Sequence, residues 1–357
     1  SYGAKSDLFL EYRPSNTDLL RDKFVDFADE CEILFAPMYQ YFSERVAADG
    51  ELKSICSVVE KGQPVPNLFF GAIRFHLLSG LTHSLGDIYK KIQNGQPVDY
   101  EYAYRQLHSF CLDNVGLIRQ TMSEKLVQTN VPARCSYLMP AFSKMCERFN
   151  IVNFHVVEIG ASAGLNLLWD HYYYDYSDET HGNPLSPVHI KSTFKGESPL
   201  AGRSHTYQVA SRTGIDLNPI NLSDPKDLLW LRSLVWPERI EEEKVLLSAV
   251  DYALNSNLYE LKKGNAISLL PMLLNDIPPQ SNVFLFDTHV MNQFSIDDRA
   301  ELDRIILAGS KQRDIYRISV GGLSIPAEIR LTVAKSGKTY QILMGYSDAH
   351  GLWSEWL

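Results

Sequence analysis

A strand that runs directly into a glycine-bearing turn constrains this chain more than any other feature. NFHVVEI (153 to 159) is a run of β-branched and aromatic residues with an acid, Glu158, near its end. Gly160-Ala161-Ser162-Ala163-Gly164 follows at once, and LNLLWDH then resumes with helical spacing. A buried strand, a glycine turn and a helix in immediate succession form the opening unit of an α/β layer fold. Such a unit leaves backbone N–H groups and the positive end of the helix at the carboxyl edge of the strand. In an open parallel sheet that edge is where ligands dock, and glycine lets the backbone approach them. Glu158, Gly160, Ala161, Ser162, Gly164 and Asn166 are therefore the first candidate ligand-binding residues, with Glu158 suited to an amino group or to ordering the turn. Turns of this kind also form with no ligand at all.

The texture of the chain changes close to this strand. From Thr17 to about Phe149 apolar residues recur at three- and four-residue spacing, as in LLRDKFVDFADECEILF and YAYRQLHSFCLDNVGLI; the spacing predicts about five or six helices and no strand. Breaks fall at Ala36-Pro37, at KGQPVPN (61 to 67) and at NGQPVD (94 to 99). Beyond Asn150, strand-like runs alternate with helical ones: VHIKSTF (188 to 194), TYQVAS (206 to 211), NVFLFDT (282 to 288) and DIYRISV (314 to 320), then EIRLTVAKSG and KTYQILMGYS as a hairpin around Ser336-Gly337. Helices are expected at 163 to 170, 224 to 234, 238 to 255, 267 to 274 and 297 to 307, with Asp224 and Asp297 as N-terminal caps. The expected division is a tail over 1–16, a helical region over 17–150 and an α/β domain over 151–357.

Composition removes several function classes. With 357 residues and 45% apolar side chains the chain can bury a large core. Its 43 acidic residues outnumber 34 basic ones, for a net charge of −9 without a polybasic stripe, so nucleic acid is not an expected partner. No apolar run approaches the roughly 18 residues of a membrane span, and the start lacks the layout of a secretory signal, so a cytoplasmic protein is expected. Cys31, Cys56, Cys111, Cys135 and Cys146 make an odd set with no C-x-x-C pair, and no His, Cys or carboxylate cluster has metal-ligand spacing; reduced buried thiols and no metal are expected. The opening SYGAKSD is set aside from fold reasoning. Oligomeric state is not legible.

Further polar residues gather where strands are expected to end. Asp216 in RTGIDLNPINLSDP follows a strand and could accept ribose hydroxyls, as could Asp175 in YYYDYSD, which lies nearer the spacing of the simple dinucleotide fold. Either can equally be a turn residue bonding its own backbone. Asn265 in KGNAISLLPMLL could read the edge of a purine or cap the next helix. Asp287, His289 and Asn292 in NVFLFDTHVMNQFS are candidates for catalysis, because imidazole titrates near neutrality and an adjacent carboxylate can adjust it. The same glycine turn also satisfies G-x-S-x-G, the nucleophile elbow of serine hydrolases, with His289 or His350 and Asp287 or Asp348 completing a triad in chain order. Against this, the helical region before it supplies no strands for an oxyanion-hole loop. QTN (128 to 130) and RCSYLMPAFSKM (134 to 145) join the helical region to the first strand and are read as cover for the site or as helix caps.

VEIGASAGLNLLWDHYYYDY, GNPLSPVHI, RTGIDLNPINLSDPKDLLWLRSLVWPE, GNAISLLPMLL and FDTHVMNQFS together resemble a bacterial family, domain of unknown function number 2332, over nearly the whole chain. The resemblance implies a Rossmann-like, class I methyltransferase fold, a mainly parallel sheet ending in an antiparallel hairpin behind an all-helical N-terminal region; it names no substrate. On that architecture the expected cofactor is S-adenosylmethionine. Glu158, Gly160, Ala161, Ser162, Gly164 and Asn166 would bind it, and Asp216 and Asn265 would hold its ribose and adenine. Asp287, His289 and Asn292 would face a small-molecule acceptor, with the helical region closing over the pocket. Ser162 stands where the general methyltransferase motif has its middle glycine. The alternatives are a non-catalytic ligand-binding or regulatory protein of the same fold and, third, a serine hydrolase.

Overall fold

The structure, a computed structural model, describes residues 16–60, 62–202, 205–321 and 326–357. The tail set aside above lies, apart from Asn16, outside the described residues. The chain divides into two units. One comprises the described residues up to Thr129 together with Leu228–Glu243, and the other Asn130–Asp227 with Lys244–Leu357.

The first unit is helical: α1 (Asn16–Ile33), α2 (Pro37–Ala47), α3 (Gly50–Ile55), α4 (Val65–Leu78), α5 (Ser84–Gln93), α6 (Tyr100–Asp113) and α7 (Val115–Glu124). Asp49 and Asp99 cap α3 and α6 by accepting from backbone N–H groups of their first turns. Phe24, Phe27, Tyr39, Phe42, Phe69 and Phe70 form its aromatic core, which Trp230, Leu234 and Trp236 of the later segment complete. Two charged groups tie that segment in. Arg74, 1% exposed, donates to the carbonyls of Arg232 and Val235 and pairs with Glu243 at 2.9 Å. Glu238 accepts from Met38 N at 2.8 Å and Tyr39 N at 3.1 Å, serving as the cap that Ala36 cannot provide for α2.

The second unit begins with α8 (Cys135–Arg148), which leads into β1 (Asn153–Ile159). Four short strands follow: β2 (Tyr173–Asp175), β3 (Thr180–Gly182), β4 (His189–Lys191) and β5 (Thr193–Lys195). The remaining elements are β6 (Gln208–Asp216), α9 (Pro225–Ser233), α10 (Ile240–Ser256), β7 (Glu260–Lys263), α11 (Ala266–Asp276), β8 (Val283–Thr288), α12 (Ile296–Gly309), β9 (Ile315–Gly321), β10 (Ala327–Lys335), β11 (Lys338–Ser347) and β12 (Trp353–Trp356). The division between units passes through α9 and α10.

Among the described residues nine strands form one mostly parallel sheet in the order β5-β12-β11-β10-β9-β8-β1-β6-β7. From β7 to β9 every pairing is parallel; β10 to β12 turn back antiparallel. The expected hairpin is present, closed by Ser336 and Gly337 with φ of 51° and 75°. β2, β3 and β4 make a separate small sheet. Chain order reverses between β1 and β8, since β1 leads outward to β6 and β7 on one side before the chain returns to β8 on the other. A crevice for a ligand opens at the carboxyl ends of strands that part in this way.

The two faces of β1 pack differently, as strand alternation requires. Val157 and Ile159 join Leu270, Leu274, Leu302 and Ile306 of α11 and α12. Phe154, on the opposite face, stacks on Phe284 at 3.8 Å in a layer with Phe142 of α8, Trp169 and Phe286. Glu158 follows Phe154 and Val156 on that face.

Three local expectations need correction. The helix expected at 163 to 170 is a 3-10 segment, Leu165–His171, with Leu168 at non-helical angles. Arg212 of β6 takes the Leu167 carbonyl and pairs with Asp170, drawing these groups away from an α-helical ladder. A segment this short and irregular carries little macrodipole, so the helix-end part of the ligand argument falls away. Ser295, not Asp297, caps α12 by accepting from Asp298 N at 3.0 Å. The run at 188 to 194 is split into β4 and β5, while β7, β2, β3 and β12 were not anticipated: they are three or four residues long and lack a period-two pattern. Asp224 does accept from Lys226 N at 2.9 Å, as a cap should. Among the described residues no helix is long and apolar enough to cross a membrane.

Replacing Arg74 with Ala leaves two carbonyls unpaired and the part-buried Glu243 carboxylate with Arg232 at 3.3 Å as its remaining arginine, and should cost about 1–3 kcal/mol in chemical denaturation; Trp230 and Trp236 in the same core are the fluorescent reporters. Burial raises Glu238 from its ordinary 4.5 to about 7, against the lowering effect of its two backbone donors. A raised carboxyl stabilises fully below its unfolded value and loses that contribution as pH rises through the folded one, so stability of this unit should fall between about pH 5 and about pH 8. Glu238→Gln should flatten that decline in thermal unfolding measured across the range.

Candidate functional site

Parallel register sets three acids side by side at the carboxyl ends of β6, β1 and β8. Glu158 is level with Gly214 and with Phe286, so Asp216 lies two residues beyond it on β6 and Asp287 one residue beyond it on β8. Like charges so placed repel in a low-dielectric site, and each must be compensated or protonated. Two are compensated. Asp287, fully buried, accepts from Arg317 Nε at 3.0 Å and from Ser319 Oγ at 2.6 Å, both on the adjacent strand β9. Asp216 accepts from Ser162 N at 2.8 Å and from Asn218 N at 2.9 Å, clasping the glycine turn to the end of β6.

Glu158 is the exception. It is 2% exposed and its Oε1 is buried with no hydrogen-bond partner among the described residues. Burial, then Asp216 and Asp287, push its carboxyl well above the ordinary 4.5, with Arg134 opposing. A carboxyl in this state either holds a proton or waits for a cation.

The remaining expected residues take varied places. Asp216 stands at the turn, whereas Asp175 lies in the small sheet and accepts from Ser177 N at 2.9 Å, so only Asp216 is placed to serve a ligand at this edge. Gly160 and Gly164 have φ of 73° and 83°, and Ser162, at 54°, shares this left-handed region. A Cβ at Gly160 would lie 2.5 Å from Val290 Cγ2, and one at Gly164 would collide with Tyr259. The two glycines are thus required by the protein's own packing and backbone, independently of any ligand. Ala161 is buried against Gly214 of β6. Asn166 is buried, accepting from Asn130 Nδ2 at 3.4 Å and Cys135 Sγ at 3.4 Å. Asn265 caps α11, accepting from Ile267 N at 2.8 Å. Asn292 is exposed in the 3-10 turn Met291–Gln293.

His289 follows β8 with φ of 56°, its N–H donating to the Val320 carbonyl at 2.8 Å. Its Nε2 is buried without a partner among the described residues. Burial, Arg134 and His350 lower it to about 4, with Asp348 pulling the other way. Asp287, turned toward β9, is not among the charges that act on it, so the Asp287–His289 pairing expected from their spacing does not form.

Three residues were not singled out by sequence. Asn130 of the QTN segment accepts from Leu165 N at 3.1 Å and donates to Asn166, bracing the exit of the glycine turn from 35 residues away. Arg134 donates to the Ala349 carbonyl at 3.1 Å and reaches Thr288 Oγ1 at 3.5 Å. Tyr137, fully buried on α8, has a hydroxyl with no partner among the described residues. α8 runs back toward the start of β1, which brings its first residues to the carboxyl ends of the strands. Their only sequence signal was a polar linker, which cap formation explains equally well.

A groove of about 370 Å³ borders the turn at Ala163, walled by Pro219, Ile220, Leu222, Leu254 and Tyr259. All five cysteines are free and buried, and no group of three or more His, Cys, Asp or Glu among the described residues could hold a metal ion.

The turn, the acids and Arg134 fall within a match, over residues 21–356, to the family described as an uncharacterized protein conserved in bacteria, DUF2332. The chain belongs to this family. The DUF2332 match takes in described residues of both units, including the early helices, β1 and the C-terminal hairpin. Among curated proteins no match to the chain is found.

If Glu158 is held in the fold at the cost of stability, Glu158→Gln should stabilise the protein. Because the Glu158 carboxyl is raised, the gain should be absent below about pH 4.5 and grow as pH rises, to about 1–3 kcal/mol at alkaline pH. Paired melts of wild type and variant from acid to alkaline pH check it; a Glu158→Gln variant less stable at every pH contradicts an uncompensated carboxylate.

Proposed function

We propose that the protein is an S-adenosylmethionine-dependent methyltransferase acting on a small molecule. The observation that carries this reading is the buried Glu158 carboxyl, its Oε1 without a partner among the described residues, at the switch point of the sheet beside a glycine turn and level with the end of β6 that bears Asp216. A carboxylate there is stabilised by a ligand ammonium, which restores the charge balance that burial and the two neighbouring acids disturb.

Several residues fit such a cofactor. Glu158 would hold its amino group. Asp216 accepts from the backbone of the turn, and a carboxylate has about four lone-pair sites, so the same group can also accept from ribose hydroxyls. The groove beside Ala163 offers Pro219, Ile220, Leu222 and Tyr259 as an apolar wall for a planar heterocycle. When bound, the cofactor supplies a methyl group on a positively charged sulfur. The protein's task is then chiefly to align the acceptor with it. His289, lowered to about 4, is neutral at physiological pH but a weak base. It suits orienting an acceptor through Nε2 better than removing its proton, since base catalysis is most effective near the working pH. An acceptor that is nucleophilic as it binds follows from this.

The serine hydrolase reading keeps one feature in its favour, the left-handed backbone at Ser162. Of the two acids offered for its histidine, Asp287 is held by Arg317 and Ser319, which leaves Asp348, a carboxylate that acts on His289 while its Oδ2 accepts from the backbone of His350 and Leu352. Regulatory binding without chemistry remains compatible with the same pocket.

Thermal-shift and calorimetric titration with S-adenosylmethionine and S-adenosylhomocysteine test the proposal. At 100-fold excess over Kd either ligand should stabilise the protein by about 2.7 kcal/mol. Glu158→Ala and Asp216→Ala should each weaken binding at least about tenfold. No stabilisation by either nucleoside at millimolar concentration removes the reading, and labelling of Ser162 by an organophosphonate would replace it with the hydrolase.

A further inference from the structure

We propose that Arg134, Tyr137 and His289 form a subsite for the carboxylate of a small molecule, with Arg134 as its anchoring cation. The geometry stands on its own and does not require methyl transfer.

Arg134 has no acid within ion-pair distance among the described residues. Its Nε is fixed by the Ala349 carbonyl at 3.1 Å, and its remaining contact, Nη1 to Thr288 Oγ1, is long at 3.5 Å. The outer edge of the guanidinium fork, the part that matches a carboxylate in a bidentate manner, is left with donors to spare. Tyr137, three residues further along α8, has a fully buried hydroxyl with no partner among the described residues, and Arg134, Asp348 and Glu158 are among the charges that bear on it. Buried hydroxyls are ordinarily paired, so a missing partner marks a place that something else fills. His289 Nε2 is a second such atom, and Arg134 is among the charges acting on it. Tyr137, one turn along α8, and His289, next to the Thr288 that Arg134 reaches, thus both lie near Arg134. Tyr137 and His289 can each donate one hydrogen bond to an anion, and the Arg134 fork two.

The surroundings limit the size of that charge. Asp348 is close enough to act on both Tyr137 and His289, and its Oδ2 accepts from His350 N at 3.0 Å and Leu352 N at 3.1 Å. With Asp348 and Glu158 on its flanks, the subsite suits a singly charged carboxylate rather than a phosphate.

The carboxylate can belong to the acceptor or to the amino-acid arm of the nucleoside, and binding measurements separate these sources. Acetate, benzoate and succinate are titrated into the wild type, Arg134→Ala, Arg134→Lys and Tyr137→Phe, alongside S-adenosylhomocysteine and 5′-methylthioadenosine, which has no carboxylate. If the acceptor supplies the group, at least one simple carboxylate should raise the wild-type Tm. Arg134→Ala should then weaken it about tenfold or more and Tyr137→Phe severalfold, while S-adenosylhomocysteine binding is unchanged. If the nucleoside supplies it, the preference for S-adenosylhomocysteine over 5′-methylthioadenosine should disappear in Arg134→Ala. Arg134→Lys keeps the charge without the fork and should retain part of the affinity in either case, which guards against a misfolded Ala variant. Carboxylate binding without nucleoside binding would uphold the subsite and remove the methyltransferase reading. The subsite is overturned if no carboxylate-bearing probe binds the wild type, or if folded Arg134 variants bind every probe as the wild type does.

Discussion

The parallel pairing of β1 with β6 on one side and β8 on the other is the constraint from which the rest of the α/β unit follows. It fixes the carboxyl ends of three strands at nearly one level and therefore draws Glu158, Asp216 and Asp287 together in a medium of low dielectric. The fold answers this repulsion unevenly. β9 supplies Arg317 and Ser319 to Asp287, the glycine turn supplies Ser162 N to Asp216, and Glu158 Oε1 receives no such partner among the described residues. An uncompensated buried carboxyl is costly to keep. Its position is where chain order reverses between β1 and β8, the edge at which open parallel sheets bind ligands.

The layer beneath Glu158 is aromatic. Phe154, Phe284, Phe142 and Trp169 pack as a continuous aromatic sheet on the same face, and α8 covers it. Polar groups gather instead toward the carboxyl edge, where Arg134 precedes α8, Tyr137 lies in its first turn and His289 follows β8; Tyr137 Oη and His289 Nε2 have no partner among the described residues. Under the two proposals above, Glu158 would receive the positive end of a ligand and Arg134 its carboxylate, so the pair would select molecules bearing both signs of charge.

The glycine turn shows that a sequence feature suited to a ligand can also answer to the protein's own packing. Gly160 and Gly164 sit at the carboxyl end of β1. Their missing side chains are accounted for by Val290 and Tyr259, which press against them, and by backbone angles that other residues resist. Asp216 was legible as an acid at a strand end, and the structure brings it to the turn. Asp287 was legible in the same way, yet its neighbour across the ladder, thirty residues on, turns it into an internal ion pair. Asn265 and Asp175 keep the plainer roles of cap and turn.

By itself the sequence determined the periodicities: helices before residue 150, alternating strands and helices after it, a closing hairpin, and a glycine turn behind β1. These are local, because side-chain spacing and turn chemistry act within a few residues. Tertiary structure alone decided which acids are neutralised, which short strands exist and which polar groups are left without partners. Arg74 with Glu243, Glu238 with the amino end of α2, Asn130 with Leu165, and Arg134 with Thr288 are all pairings between distant segments. A polar residue in a linker looks the same whether it caps a helix or faces a ligand, and only the folded chain, by fixing what lies across from it, separates the two.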